Sequence, residues 1–129
     1  MDAVAEPEQL RVVVDEPRPG ALVVRLNGWL DLATAPILEA RLRDLLDTGT
    51  PRTVVLDLRR TEFLGSAGIA VLLRLRRRAL SRGLGVPHLV GLAGSAHRTL
   101  RGLGILDLFS VVDTVDAALS AGDAQSRPR

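Results

Sequence analysis

The stretch that decides the fold is residues 53–78, TVVLDLRRTEFLGSAGIAVLLRLRRR. Its first part, residues 53–58, is almost entirely apolar, as expected for a short strand buried on both faces of a parallel sheet. Beyond it, apolar residues recur at helical spacing, which predicts a helix over residues 66–81. The small residues between the two elements predict a sharp turn with a hydroxyl, that of Ser66, at its tightest point.

The sequence on either side of this stretch predicts a small α/β domain. Two β-branched runs, residues 10–14 and 21–27, flank a turn rich in proline and glycine and predict an antiparallel hairpin. The other elements predicted from apolar spacing are helices over 33–47, 95–103 and 115–121 and strands over 84–92 and 109–112. Strands that alternate with helices after a hairpin indicate βα units around a mainly parallel mixed sheet.

Local signals add detail to this prediction. We expect one domain over residues 9–121, between disordered tails at residues 1–8 and 122–129. Pro87 predicts an edge position or a bulge for its strand. Asp113 is the predicted cap of the last helix. Asp57 is expected to end its strand close to Ser66.

The composition excludes several classes of function. The chain has 129 residues, of which 47% are hydrophobic and only 2% aromatic, so its core must be aliphatic. It has no cysteine, which excludes disulfides and thiolate metal sites. The net charge of +2 is small, and few aromatic residues are present to stack on bases, so we expect no nucleic-acid partner. No segment has the ~20 apolar residues of a membrane span, and the polar start does not resemble a signal peptide. We expect a soluble cytoplasmic protein without metal or cofactor.

Ser66 has three candidate roles on the residues alone. As a helix cap, its hydroxyl would contribute about 1 kcal/mol by accepting a bond from a free amide. A nucleophile elbow requires G-x-S-x-G, but Leu64 occupies the first glycine position. Neither His88 nor His97 is visibly paired with an acid, so we expect no enzyme. The third role, a phosphate acceptor, stays open beside the cap.

Two blocks of the sequence resemble the signature of STAS domains, the family of bacterial anti-sigma factor antagonists. The first block matches the family pattern at Val54, Val55, Asp57, Leu58, Phe63, Leu64, Ser66, Gly68 and Ile69. The second, LNGWLDLATAPIL, matches it at Gly28, Leu30, Asp31, Thr34 and Ala35. Both blocks occur in the family order, and the resemblance covers residues 10–120.

The resemblance implies a protein-binding switch. Such an antagonist binds an anti-sigma factor that is also a serine kinase, and thereby releases the sigma factor. The kinase phosphorylates the serine at the helix start, and a serine phosphatase reverses the reaction. The resemblance makes Ser66 the phosphorylation site. The partner-binding residues that it implies are Gly28, Trp29, Asp31, Gly65, Ser66, Ala67 and Gly68.

Two departures from the family pattern leave a rival open. Gly65 stands where the family usually has Asp, and Trp29 where it often has Glu. Without that carboxylate, the chain would also suit a STAS interaction subunit that is never phosphorylated, in a signalling or lipid-transport assembly. Asp31 is either a cap for the next helix or a docking residue. Trp29 is either an interface anchor or a cover for the core.

Overall fold

A computed structural model describes residues 10–49 and 51–126, which form a five-stranded sheet with four α-helices. The strands are β1 (Arg11–Arg18), β2 (Ala21–Leu30), β3 (Thr53–Leu64), β4 (His88–Val90) and β5 (Ser110–Val112). The helices are α1 (Ala35–Thr48), α2 (Ser66–Ser81), α3 (Gly94–Gly102) and α4 (Val115–Ser126). The predicted N-terminal tail, residues 1–8, lies outside the described residues.

The sheet has the predicted mixed topology, with its strands side by side in chain order. β1 and β2 form an antiparallel hairpin through Gly20, whose φ of +84° is a conformation that glycine adopts without strain. All later neighbours pair in parallel, from β2 with β3 to β4 with β5. The expected α/β domain with an opening hairpin is confirmed.

The two faces of the sheet are covered to different extents. On one face, alternate strand residues such as Val24 and Leu56 pack with Leu38 of α1 and Leu72 of α2 in the main aliphatic core. On the other face, a smaller cluster is centred on Ala118 of α4. Because α4 packs mainly on β3, β4 and β5 and reaches β2 at Val23, the open part of this face lies farther along the hairpin, at exposed residues such as Arg11 and Asn27.

The strands around the serine are longer than the sequence predicted. β3 continues for six residues beyond Leu58 and pairs with β2 as far as Leu30 and Leu64. Asp57 therefore lies inside the strand, not at its end. It alternates onto the face of Val55 and α4, away from α2, so the expectation that Asp57 lies close to Ser66 is wrong.

Several boundaries near the C-terminus differ from the predictions. β4 lies between β3 and β5, so it is not an edge strand, and Pro87 precedes it with its carbonyl accepting a bond from Ser110. The cap of α4 is Thr114 and not Asp113, because the Thr114 Oγ1 accepts a bond from the Ala117 amide at 3.0 Å. α4 also reaches Ser126, five residues into the expected tail, since Gly122 is buried against Thr53 of β3.

Candidate functional site

Ser66 lies where β3 passes into α2. Gly65 joins the two elements: its amide donates to the Leu30 carbonyl at 3.0 Å, and its carbonyl accepts the first helical bond, from Ile69, at 3.0 Å. Gly65 is the N-cap residue, with extended backbone (φ −91°, ψ −177°), and Ser66 is the first residue of the helix. The strand pairing therefore fixes the position of Ser66 at the end of the sheet.

The Ser66 side chain is exposed and does not cap the helix. The N-cap makes no side-chain hydrogen bond, and none of residues 10–49 and 51–126 bonds to the Ser66 hydroxyl. The structure thus contradicts the cap interpretation, because the turn places glycine and not serine at the N-cap. The first turn of α2 contains no acidic residue, so no side chain of that turn offsets its free amides and positive dipole end.

Two other predicted site residues hold α2 against the sheet. A Cβ at Gly68 would lie 2.7 Å from Cγ of Leu30 and 2.7 Å from Cδ1 of Leu64, which is closer than real contacts allow. Gly68 is therefore the residue that lets the helix approach the strands. Ala67 is half-buried and packs on the main core. Gly68 presents no side chain to solvent, whereas Ala67 is partly exposed, and the partner-binding roles of both residues stay predictions.

Gly28 also has a backbone role. It is buried in β2 with a φ of +125°, where a residue with a Cβ is strained. The β2–β3 register shifts between Gly28 and Trp29, so the glycine precedes an irregularity that re-aims the end of the strand. Gly28 thus places Trp29 and offers no side chain of its own.

Asp31 organises the loop between β2 and α1. Its Oδ1 accepts bonds from the amides of Ala33 and Thr34, each at 3.0 Å, while its own amide donates to the Thr34 Oγ1 at 3.0 Å. Its carbonyl accepts the first helical bond, from Ala35, at 2.8 Å. This reciprocal arrangement is that of a capping box. The Asp31 side chain thus caps the turn that leads into α1, although the formal N-cap of the helix is Thr34.

An aromatic pair lies beside the serine. Trp29 of β2 stacks on Phe63 of β3 with ring centroids 5.1 Å apart and an angle of 29° between the planes. The two rings are 38% and 43% exposed, respectively. The predicted strand ends at residue 27, but β2 continues to Leu30, so Trp29 occupies the end of a strand. It therefore stacks on a neighbouring ring and does not close the core.

Sequence reasoning missed Phe63 as a site residue. The residue matched the family pattern, yet its direction could not be predicted, because the register shift between Gly28 and Trp29 changes which face each β3 residue occupies. The one signal in the sequence that could have indicated Phe63 is the small number of aromatic residues. The chain has three, and two of them stack here. The Phe63 ring also lies over Gly65, where a Cβ would be 2.8 Å from Phe63 Cε2.

The histidines are not placed to activate Ser66. His88 is buried and pairs in register with Val55, so it lies on the α4 face of the sheet, opposite α2. His97 is half-buried in α3 and makes no hydrogen bond to Ser66. Within residues 10–49 and 51–126, no group of three or more His, Cys, Asp or Glu is placed to hold a metal ion. No helix in the same residues is long and apolar enough to cross a membrane.

Comparison with known proteins identifies the family. The STAS domain model matches residues 13–118. BtrV of Bordetella bronchiseptica, named provisionally as an anti-sigma factor antagonist, is 34% identical over 102 residues, covering 79% of this chain and 86% of BtrV.

Solved structures have the same fold. The crystal structure of an anti-sigma factor antagonist from Mycobacterium paratuberculosis has a TM-score of 0.77 and 28% identity, covering 93% of this chain and 99% of the other. The Bacillus protein SpoIIAA, at 18% identity, shares the fold in its unphosphorylated form (TM-score 0.75, covering 92% and 100% of the two chains). Its phosphorylated form shares it too (TM-score 0.69, covering 86% and 98%). With a family match over most of its length and a relative above 30% identity, this chain belongs to the STAS domain family.

Proposed function

We propose that this protein is an anti-sigma factor antagonist, and that phosphorylation of Ser66 switches its binding off. The observation that carries the proposal is the exposed, unbonded Ser66 hydroxyl at the start of α2 in a STAS domain chain. The names of BtrV and of the Mycobacterium protein support the antagonist role. The proposed partners are a bacterial cytoplasmic anti-sigma factor with serine kinase activity and a serine phosphatase.

The position of Ser66 suits a phosphate that changes binding and not folding. A phosphoserine carries about −1.5 to −2 charges at neutral pH. At the first position of a helix, the free amides and the dipole stabilise that charge, and no acidic side chain of the first turn opposes it. The electrostatic cost of the phosphate then arises in the interface, because the partner surface is complementary to a neutral hydroxyl. The likeness of this fold to both forms of SpoIIAA is in keeping with such a switch.

The aromatic pair provides the anchor of the proposed interface. Trp29 and Phe63 hold each other in place, so the pair offers apolar area without the entropy loss of ordering free side chains. Leu32, in the loop that follows Trp29, is 83% exposed and is a further apolar side chain open to solvent. Large aromatic residues near the centre of an interface dominate binding energy, so we expect the partner to cover this pair.

The proposed function can be tested with the protein and its captured partner. Wild-type protein, Ser66→Ala and Ser66→Asp are used to capture partners from the source cells, and the bound proteins are identified by mass spectrometry. The captured anti-sigma factor is then produced separately and incubated with each variant and ATP. We expect wild type and Ser66→Ala to bind, Ser66→Asp to lose binding, and phosphate to appear only on wild type.

Ser95 provides the matched control for Ser66. It is an exposed serine in the first turn of another helix, α3, so Ser95→Ala and Ser95→Asp repeat the same chemical changes elsewhere. We expect both control variants to bind and to be phosphorylated as wild type is. If Ser66→Asp binds as tightly as Ser95→Asp, Ser66 is not the switch.

A second candidate function is a STAS interaction subunit that is never phosphorylated, in a signalling or lipid-transport assembly. The observation in its favour is Gly65, whose missing side chain leaves room for the Phe63 ring beside the serine. An aromatic ring there strengthens a constitutive apolar interface and supplies no carboxylate near the acceptor. Stable binding of the partner in the presence of ATP, with no phosphate on Ser66, would favour this function over the first.

A further inference from the structure

The open part of the second sheet face carries an arginine-lined groove. Strand alternation places Arg11 of β1, Arg25 of β2 and Arg59 of β3 on the α4 side of the sheet, beyond the area that α4 covers. With Arg60, they line a cavity of about 380 Å³. The groove lies on the sheet face opposite the one that α2 covers.

A β-bulge brings two consecutive arginines into the groove. Arg25 pairs with Asp57, but Asn27 pairs with Arg60, so β3 has one residue more than β2 in this interval. In a regular strand, Arg59 and Arg60 would point to opposite faces. The extra residue lets both line the same cavity. Bulges that re-aim side chains in this way are concentrated near functional sites.

Asp57 and Gly91 fix the position of Arg59. Asp57 is buried and accepts two side-chain bonds from Arg59, to Oδ1 at 2.9 Å and to Oδ2 at 2.6 Å. Burial raises the pKa of Asp57, but the hydrogen bonds from Arg59 outweigh it and hold that pKa below its usual value. A Cβ at Gly91 would lie 2.2 Å from the Arg59 Cγ, so the glycine lets the arginine stem cross the sheet. The guanidinium is therefore positioned before any ligand binds.

The groove has an excess of positive charge. The acidic residues that pair with these arginines are Asp57 and Asp15. Arg25 bonds to Asp15, and its Nε lies 3.6 Å from Oδ2 of Asp57. Arg11 and Arg60 have no ion pair with any residue in the ranges 10–49 and 51–126. Four arginines and two aspartates leave a charge of +2 over one small cavity.

We propose that this groove binds a small organic diphosphate. The charge of +2 is matched by two adjacent anionic groups, and arginine forks bind phosphate oxygens in pairs. A cavity of about 380 Å³ falls in the range of small-ligand sites and exceeds what a diphosphate alone would fill. Asn27 supplies a neutral donor, and exposed Val13 an apolar wall for the organic part.

The test uses inorganic pyrophosphate as the probe, titrated into the full chain and followed by calorimetry. We expect saturable binding of one pyrophosphate per chain, at least about tenfold tighter than that of inorganic phosphate. Replacing Arg11 and Arg60 together by glutamine removes two charge-assisted contacts and should weaken binding about a hundredfold. Both side chains are exposed, so the double variant should fold, as thermal unfolding will verify.

The matched control is the double variant Arg41→Gln with Arg98→Gln. It removes the same charge from exposed positions on α1 and α3, away from the groove. Its pyrophosphate affinity should stay within about twofold of wild type. The proposal is overturned if wild type shows no saturable pyrophosphate binding, if phosphate binds equally well, or if the control pair loses as much affinity as the groove pair.

Discussion

The ring of Phe63 packs directly over Gly65, at the position where a side chain of residue 65 would begin. A Cβ at position 65 would lie 2.8 Å from Phe63 Cε2 and 3.2 Å from its Cζ, so the ring occupies the volume in which a longer side chain would begin. The same ring stacks on Trp29. The absence of the acid that the family usually carries before the serine and the presence of the aromatic pair are therefore linked: restoring one disturbs the other.

The first prediction concerns Gly65→Asp. The new side chain should displace Phe63 from its stack on Trp29, and Trp29, the only tryptophan, reports this by a red shift and altered intensity of its fluorescence. The free energy of unfolding should change by less than about 1 kcal/mol, because Asp and Gly are both accepted at an N-cap and Phe63 is exposed enough to move. Urea unfolding followed by circular dichroism measures it.

Gly102→Asp is the matched control for that experiment. Nothing lies within 4 Å of a Cβ at Gly102, at the end of α3, so the same change adds a carboxylate without touching a ring. Its Trp29 fluorescence should match wild type. An unchanged spectrum for Gly65→Asp would mean that the Phe63 ring does not depend on the missing side chain.

The second prediction concerns Gly68→Ala. In an open helix this change stabilises by about 1 kcal/mol, because alanine is the better helix former. Here the new methyl group would meet Leu30 and Leu64, both packed in the core, so overpacking of about 1–3 kcal/mol should outweigh the gain. Chemical unfolding should show net destabilisation, whereas Gly102→Ala, in open space, should be neutral or stabilising. Equal effects for the two variants would contradict the close approach of α2 to the sheet.

The third prediction separates the two roles of Asp31. Asp31→Asn keeps the oxygen that accepts from the Ala33 and Thr34 amides and should leave stability almost unchanged. Asp31→Ala removes it and should destabilise the protein by about 1 kcal/mol. If the charge also docks the partner, Asp31→Asn should weaken binding while stability is kept. Calorimetric titration with the captured partner, beside unfolding of the same variants, distinguishes a cap from a docking residue.

Much of the fold was predictable because its signals are local. The helix bounds Ser66 to Ser81 follow from apolar spacing and a small-residue turn, and both the hairpin and the parallel order follow from turn chemistry and element order. The extension of β3 to Leu64 was not predictable, because Arg59, Arg60 and Glu62 look like a polar loop. The segment stays in the strand because Arg60, Phe63 and Leu64 pair with β2. Tertiary pairing, which one sequence does not encode locally, decided that boundary.

In the candidate site, the position of Ser66 at the start of α2 was predictable, whereas the orientation of the side chains around it was not. Which neighbouring residues present side chains to solvent depends on bulges and burial. Gly28 and Gly68 have backbone roles and Ala67 packs partly on the core, while Phe63 faces outward beside Trp29. A bulge shifts every later residue to the other face, and the apolar pattern of a half-exposed strand end cannot show where it occurs.

The fourth prediction concerns the buried His88. Burial lowers the pKa of its imidazole, and its Nδ1 has no hydrogen-bond partner among residues 10–49 and 51–126. A folded-state pKa below the unfolded value means that the unfolded chain binds the proton more readily. Stability should therefore be constant above about pH 6.5 and fall as the pH is lowered further, by at most about 1.4 kcal/mol per pH unit. Urea unfolding at pH 5 to 8 measures this slope.

The variant His88→Leu should remove that slope, because leucine has no group that can be protonated at this position. His97→Gln is the control, since it removes the half-buried histidine of α3 and should leave the slope intact. The buried Asp57 does not interfere, because its lowered pKa makes its contribution disappear only below about pH 4. A slope that persists in His88→Leu would assign the acid sensitivity to another group.

The last prediction is that Ser66→Asp changes binding without weakening the fold. A carboxylate at the first position of α2 faces free amides and the positive end of the dipole, so the free energy of unfolding should rise by about 0.3–1 kcal/mol at low salt. The gain should shrink in 1 M salt, where screening acts within about 3 Å. Urea unfolding at both salt concentrations measures it, with Ser66→Asn as the uncharged control. If Ser66→Asp instead destabilises the fold, its loss of partner binding reflects unfolding and not a switch.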